Sequence, residues 1–112
     1  MSSQRYSDKD FRTIFHESPD AYLIMSSTDG KIQECNKAAE RMLRASRDQI
    51  LGLRPDEVSP QNQPNGMTSI EAARVKIQQV MQKGHAVFDW VHRRFDGEDF
   101  WVEVQIFTSV IG

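Results

Sequence analysis

The sequence predicts an α+β fold, an antiparallel sheet with helices on one face. Three observations carry this. Two pairs of apolar runs lie toward the ends of the chain. An Asp-Gly step joins the members of each pair, Asp29-Gly30 and Asp96-Gly97, which is a strong hairpin signal. Between the pairs, apolar residues recur at helical spacing.

The elements follow in order. Met1 to Ser7 are polar and read as a flexible end. Asp8 or Asp10 caps a short helix over 8–18 that carries Phe11, Ile14 and Phe15 as an apolar stripe. It ends near Ser18-Pro19, because the residue before proline avoids the α region. Asp20 to Ser27 reads as a strand, Thr28-Asp29-Gly30 as the turn, and Lys31 to Cys35 as its antiparallel neighbour.

Asn36 is a natural N-cap for a helix over Lys37 to Arg44, with Ala39, Met42 and Leu43 on one face. Ser46 caps a second short helix ending at Ile50-Leu51-Gly52. Leu53 to Gly66 holds three prolines and two asparagines and reads as a long loop, with one helical turn near Asp56-Glu57. Long loops within compact domains are often functional.

Thr68 or Ser69 caps the longest helix, along which Ile70, Ala73, Ile77, Val80 and Met81 recur until Lys83-Gly84 closes it. Two strands end the chain, His85 to Phe95 and Phe100 to Ile111. Phe88, Trp90 and His92 share one face of the first. Val102, Val104 and Ile106 share a face of the second, with Trp101, Glu103, Gln105 and Phe107 opposite.

Composition narrows the function. The chain has 112 residues, suited to one domain, and 38% apolar against 27% charged residues marks it as globular. A net charge of -2 without a basic stripe gives nucleic-acid binding no electrostatic support. His92-Arg93-Arg94 reads as strand-surface charge, and the Asp56-Glu57 and Glu98-Asp99 pairs read as solvated loop acids. Cys35 stands alone, so an intrachain disulfide and a multi-cysteine metal site are excluded; it reads as a buried structural thiol. His16, His85 and His92 lack metal-ligand spacing. No apolar run reaches the ~18 residues of a membrane span and the polar N-terminus is no signal peptide, so the expected location is cytoplasmic. No nucleophile elbow, phosphate-binding glycine loop or HExxH motif is present, and the chain is expected not to be an enzyme.

Two stretches, SPDAYLIMSSTDGKIQECNKAAERMLRASRDQILG and FDWVHRRFDGEDFWVEV, in this order and spacing, resemble the PAS domain family. The similarity runs from about Asp10 to the end, making the whole chain one PAS domain with its core over 19–112. The resemblance implies a bacterial sensory module preceding a histidine kinase or diguanylate cyclase output domain. It implies a five-stranded antiparallel sheet whose last strand lies centrally. Here the chain stops near the end of the fourth, so the last strand is expected to be missing, its gap closed by direct pairing or by a partner chain. The cofactor stays unknown. Light-sensing flavin relatives carry a reactive Cys after the closing Leu-Gly, where this chain reads Leu53-Arg54-Pro55-Asp56. Haem-binding relatives commonly place a His on the long helix, and Thr68 to Lys83 has none.

Aligned on its turns, the resemblance implies a cavity lined by Tyr22, Ile24 and Ser26 from the first strand. Leu51, Ile77 and Val80 come from the helices, and Phe88, Trp90, His92, Val102, Val104 and Ile106 form the floor. Such a lining suits a small ligand, yet Phe88 and Trp90 could equally fill the space as core. A buried Trp90 indole N–H needs an acceptor, from a ligand or from Ser26. The resemblance also implies a homodimer in which the N-terminal helix packs on the outer sheet face, through Phe11, Ile14, Phe15, Leu23, Met25, Trp101 and Phe107.

Overall fold

The fold is described from a computed structural model, over residues 7–107. Helix α1 spans Asp8–Glu17. Its cap is Ser7, one residue earlier than expected: Ser7 Oγ accepts the Asp10 amide at 3.1 Å while the Asp10 carboxylate accepts the Ser7 amide at 3.1 Å. Asp10 is therefore the reciprocal partner of a capping box. The side chain of Phe11 lies outside the described groups.

Strand β1 (Leu23–Met25) pairs antiparallel with β2 (Ile32–Cys35), with a register shift between Ile24 and Met25. β1 is much shorter than the Asp20 to Ser27 run expected, because the flanking backbone is engaged elsewhere. The Tyr22 amide is taken by the Asn36 side chain, and Ser26 closes the turn through Lys31 and Gly30. Helix α2 (Lys37–Leu43) starts on Asn36 as its N-cap, and α3 (Arg47–Ile50) starts on Ser46 with a second capping box.

A 3-10 turn over Pro55–Val58 falls inside the long loop. Helix α4 (Ser69–Lys83) is capped by Thr68 and closed by Gly84, whose φ of 88° suits glycine. Strands β3 (His85–Arg93) and β4 (Asp99–Phe107) pair in unbroken register from His85↔Phe107 to Arg93↔Asp99. The expected continuation of β4 to Ile111 lies outside the described residues.

The described strands form two two-stranded ladders, β1–β2 and β3–β4, and no fifth strand occurs among the described residues. The chain divides into two compact units that meet in sequence at Leu53 and Arg54. In the first, Ile32, Cys35, Ala39, Leu43 and Ile50 are buried; in the second, Val58, Ala72, Val80, Ala86, Trp90 and Val91 are.

Candidate functional site

In the first unit the buried polar centre is Asn36. Its Oδ1 accepts the amides of Tyr22 at 2.9 Å and Ala39 at 3.0 Å. Its Nδ2 donates to the carbonyls of Phe15 at 2.9 Å and Asp20 at 2.7 Å. An asparagine amide has two donors and an acceptor oxygen with two lone pairs, so Asn36 is saturated. It ties the end of α1, the entry to β1 and the start of α2 to one side chain. Nearby, Arg47 grips Glu34 with two bonds of 2.7 and 2.9 Å. That guanidinium holds the Glu34 carboxyl below its ordinary range, against the opposing effect of burial. Burial pushes the Cys35 thiol up, as for an inert interior cysteine.

The second unit holds the richer site. The loop before α4 is folded back by an Asn62↔Thr68 bridge and by the Gln63 amide donating to the Met67 carbonyl at 2.8 Å. This presents the Gln63 side chain to β3. Its Oε1 accepts the Val91 amide at 3.0 Å, and its Nε2 donates to the Val91 carbonyl at 3.1 Å and to Ser69 Oγ at 2.8 Å. Gln63 thus does for Val91 what a neighbouring strand would do. Ser69 Oγ passes the chain on to the Pro60 carbonyl.

Beside this clasp, Trp90 Nε1 donates to Ser59 Oγ at 2.9 Å, and Ser59 Oγ donates to the Pro55 carbonyl at 2.7 Å. His92 Nδ1 lies 3.0 Å from the Val58 carbonyl. A carbonyl only accepts, so that nitrogen carries the proton in the neutral ring and Nε2 is left as an acceptor. Burial holds the His92 pKa below its ordinary value, and the Val58 bond opposes the shift.

A cavity of about 290 Å³ opens at the edge of the hairpin. Gln63, Pro64 and Asn65 come from the loop, Ala72 and Lys76 from α4, Asp89 and Trp90 from β3, and Trp101 from β4. Lys76 Nζ stands 5.0 Å from the centre of the Phe88 ring, within cation–π range.

Of the residues implied as a cavity lining, the structure brings six onto one face of the β3–β4 hairpin. The cross-strand pairs Phe88↔Val104 and Trp90↔Val102 sit there, with His92 and Ile106 in the same alternation. Phe88 and Trp90 pack edge-to-face, ring centres 5.9 Å apart. Val80 is buried in α4, while Ile77 on the same helix is exposed. Tyr22, Ile24, Ser26 and Leu51 belong to the first unit, where Tyr22 and Ile24 are exposed and Ser26 and Leu51 half-buried. Only Trp90 belongs both to that lining and to the 290 Å³ cavity. The indole's acceptor is Ser59, not Ser26. The loop acids are also paired: Arg54 contacts Asp56 at 3.2 Å, and Arg94 contacts Glu98 at 2.7 Å. The length of the Leu53 to Gly66 loop is the one sequence signal for Ser59, Gln63 and Asn65, and no sequence signal marks Lys76 or Asp89.

A family model described as a PAS domain matches residues 19–110. The chain belongs to the PAS domain family. Solved structures agree in fold. A PAS domain from a two-component sensor histidine kinase is 20% identical, covering 87% of this chain and 78% of that one, with a TM-score of 0.70. The PAS domain, in complex with ethanol, of a LuxR-family transcriptional regulator from Burkholderia thailandensis is 26% identical, with coverage of 86% and 80% and a TM-score of 0.67. A PAS domain from Colwellia psychrerythraea is 22% identical, with coverage of 85% and 75% and a TM-score of 0.70. No curated protein matches the sequence. PAS domains are generally regulatory sensor modules. Among the described residues, no helix is long and apolar enough to cross a membrane.

Proposed function

We propose that this PAS domain is the cytoplasmic input module of a larger signalling protein, itself without catalytic activity. It binds a small ligand, homodimerises, and so controls an attached histidine kinase or diguanylate cyclase. The observation that carries the reading is a family match over 19–110 on a fold that keeps large apolar groups at its surface. Ile14, Trp101 and Phe107 are 55%, 64% and 68% exposed, and a partner copy would bury them. Phe15, Leu23 and Met25, also expected at that contact, are half-buried. The ethanol held by the Burkholderia thailandensis PAS domain supports a small ligand. Ligand binding and dimerisation would act on the output domain by shifting its population of states.

A second reading, a ligand-free dimerisation and relay module with a filled core, draws on Trp90. It is 5% exposed, packed on Phe88, with its N–H already taken by Ser59. Sedimentation equilibrium across a concentration series, with native mass spectrometry, separates the two. Dimer formation that weakens in Trp101→Ser and Phe107→Ser, together with added ligand mass, supports the first. Dimerisation without any ligand, and without ligand-dependent stabilisation, supports the second. A monomer at every concentration overturns the dimer in both.

A further inference from the structure

Helix α4 turns Ser69, Ala72 and Val80 inward, all of them buried, and it packs against β3. Lys76 falls on the same stripe, four residues from Ala72 and four from Val80, where an apolar side chain would complete the seam. Its side chain is half-buried. Among the described residues no carboxylate lies within 4.0 Å of its ammonium, which meets only the Phe88 ring.

Asp89 is exposed, lines the same cavity and has no cation within 4.0 Å among the described residues. Its direct cross-strand partner is Glu103, a like charge, an arrangement that destabilises a strand pair. One cavity of about 290 Å³ therefore holds an unmatched ammonium and an unmatched carboxylate that do not neutralise each other. Two indoles, Trp90 and the exposed Trp101, supply its aromatic surface. Asn65 also lines it: its Oδ1 accepts the Met67 amide at 3.0 Å, and its Nδ2 donates to no acceptor among the described residues.

We infer that this cavity binds a free amino acid with an apolar side chain. The ligand carboxylate meets Lys76 Nζ and Asn65 Nδ2, its ammonium meets the Asp89 carboxylate, and its side chain lies against the indoles. A simple anion would face Asp89 and a simple cation would face Lys76; a zwitterion satisfies both. The volume is at the lower limit of about 300 Å³ for drug-sized pockets, which suits a ligand of amino-acid size. The inference rests on the reading of this chain as a small-ligand sensor and moves the ligand from the inner face of the hairpin to its edge.

The test is calorimetric titration of the purified protein with L-leucine, L-phenylalanine and L-tryptophan, each beside its decarboxylated amine and its deaminated acid. At least one amino acid saturates the protein below about 10 mM, and both its one-charge analogues bind at least about tenfold more weakly. Lys76→Met abolishes the preference over the amine, and Asp89→Asn abolishes the preference over the acid. Should Lys76→Met not fold, Lys76→Gln replaces it. No saturation by any of the three amino acids overturns the inference, as does equal binding of the one-charge analogues or unchanged affinity in both variants. Sedimentation of the same samples reports the dimer independently, and native mass spectrometry reports any other bound ligand. Failure of the amino-acid site is thus distinguishable from failure of the sensor reading.

Discussion

Each unit of this PAS domain closes a strand at one residue, and it does so by different means. At Ile32 the seal is backbone: the Ile32 amide donates to the Leu53 carbonyl at 2.7 Å, and the Gly52 amide donates to the Ile32 carbonyl at 2.8 Å. At Val91 the seal is the side-chain amide of Gln63. In the first unit Asn36 is saturated and Glu34 is paired to Arg47, while the buried His16 Nδ1 finds no hydrogen-bond partner among the described residues. Around the side-chain seal the half-buried Lys76 and the exposed Asp89 line a cavity without an ion-pair partner among the described residues. Under the proposed function, the first unit serves as framework and the second meets the ligand.

Four predictions break or sharpen this contrast. The largest effect is expected at Asn36. Asn36→Ala removes four hydrogen bonds, one of them the α2 cap, and leaves their backbone partners short of a bond. At about 1 kcal/mol for each bond the loss is about 4 kcal/mol. Urea denaturation measures it, and a loss smaller than that of Gln63→Ala would break the contrast. Gln63→Ala removes three bonds and is expected to cost about 2 to 3 kcal/mol. Gly52→Ala, at the other seal, is expected to cost only about 1 kcal/mol. Its φ is 88°, and an added Cβ meets nothing within 4 Å, so only backbone strain acts. A Gly52→Ala loss exceeding that of Gln63→Ala would show that the second seal contributes little.

Much of the framework was legible because its signals are local. Asn36, Ser46 and Thr68 each cap a helix within three residues, Gly84 closes one, and the β3–β4 alternation needs only a two-residue period. The α1 cap falls one residue before the expected Asp8 because Ser7, Asp8 and Asp10 all suit an N-terminus, and only the reciprocal bonds choose between them. β1 is shorter than the Asp20 to Ser27 run suggests because backbone groups on its flanks are committed to Asn36 and to the turn. The cavity was not legible. Gln63 meets Val91 across 28 residues and Trp90 meets Ser59 across 31, separations that leave no periodic trace. Reading apolar residues along α4 also passes over Lys76, the one charged residue on the packing stripe.

The smallest effect is a separation of the two units in pH. His92 has a folded pKa below its unfolded value of about 6.5. Its neutral form, donating from Nδ1 to Val58, is the stable one. That stability is fully present above about pH 6.5 and is lost as pH falls from there toward the lowered folded value. Glu34 is also lowered, but from 4.5, and here the charged form is stabilised by Arg47. Its contribution is present above pH 4.5 and is lost only as pH falls through the folded value below that. Between about pH 6.5 and 4.5, His92 alone of these two loses its contribution. Hydrogen exchange corrected for intrinsic rates should then show protection falling first over residues 58–63, with residues 32–36 following only below about pH 4.5. His92→Asn keeps an N–H donor toward Val58 and cannot titrate, so it should abolish the first step and leave the second. Simultaneous loss in both segments would mean that the units open as one, and that the contrast between their seals does not extend to their stability.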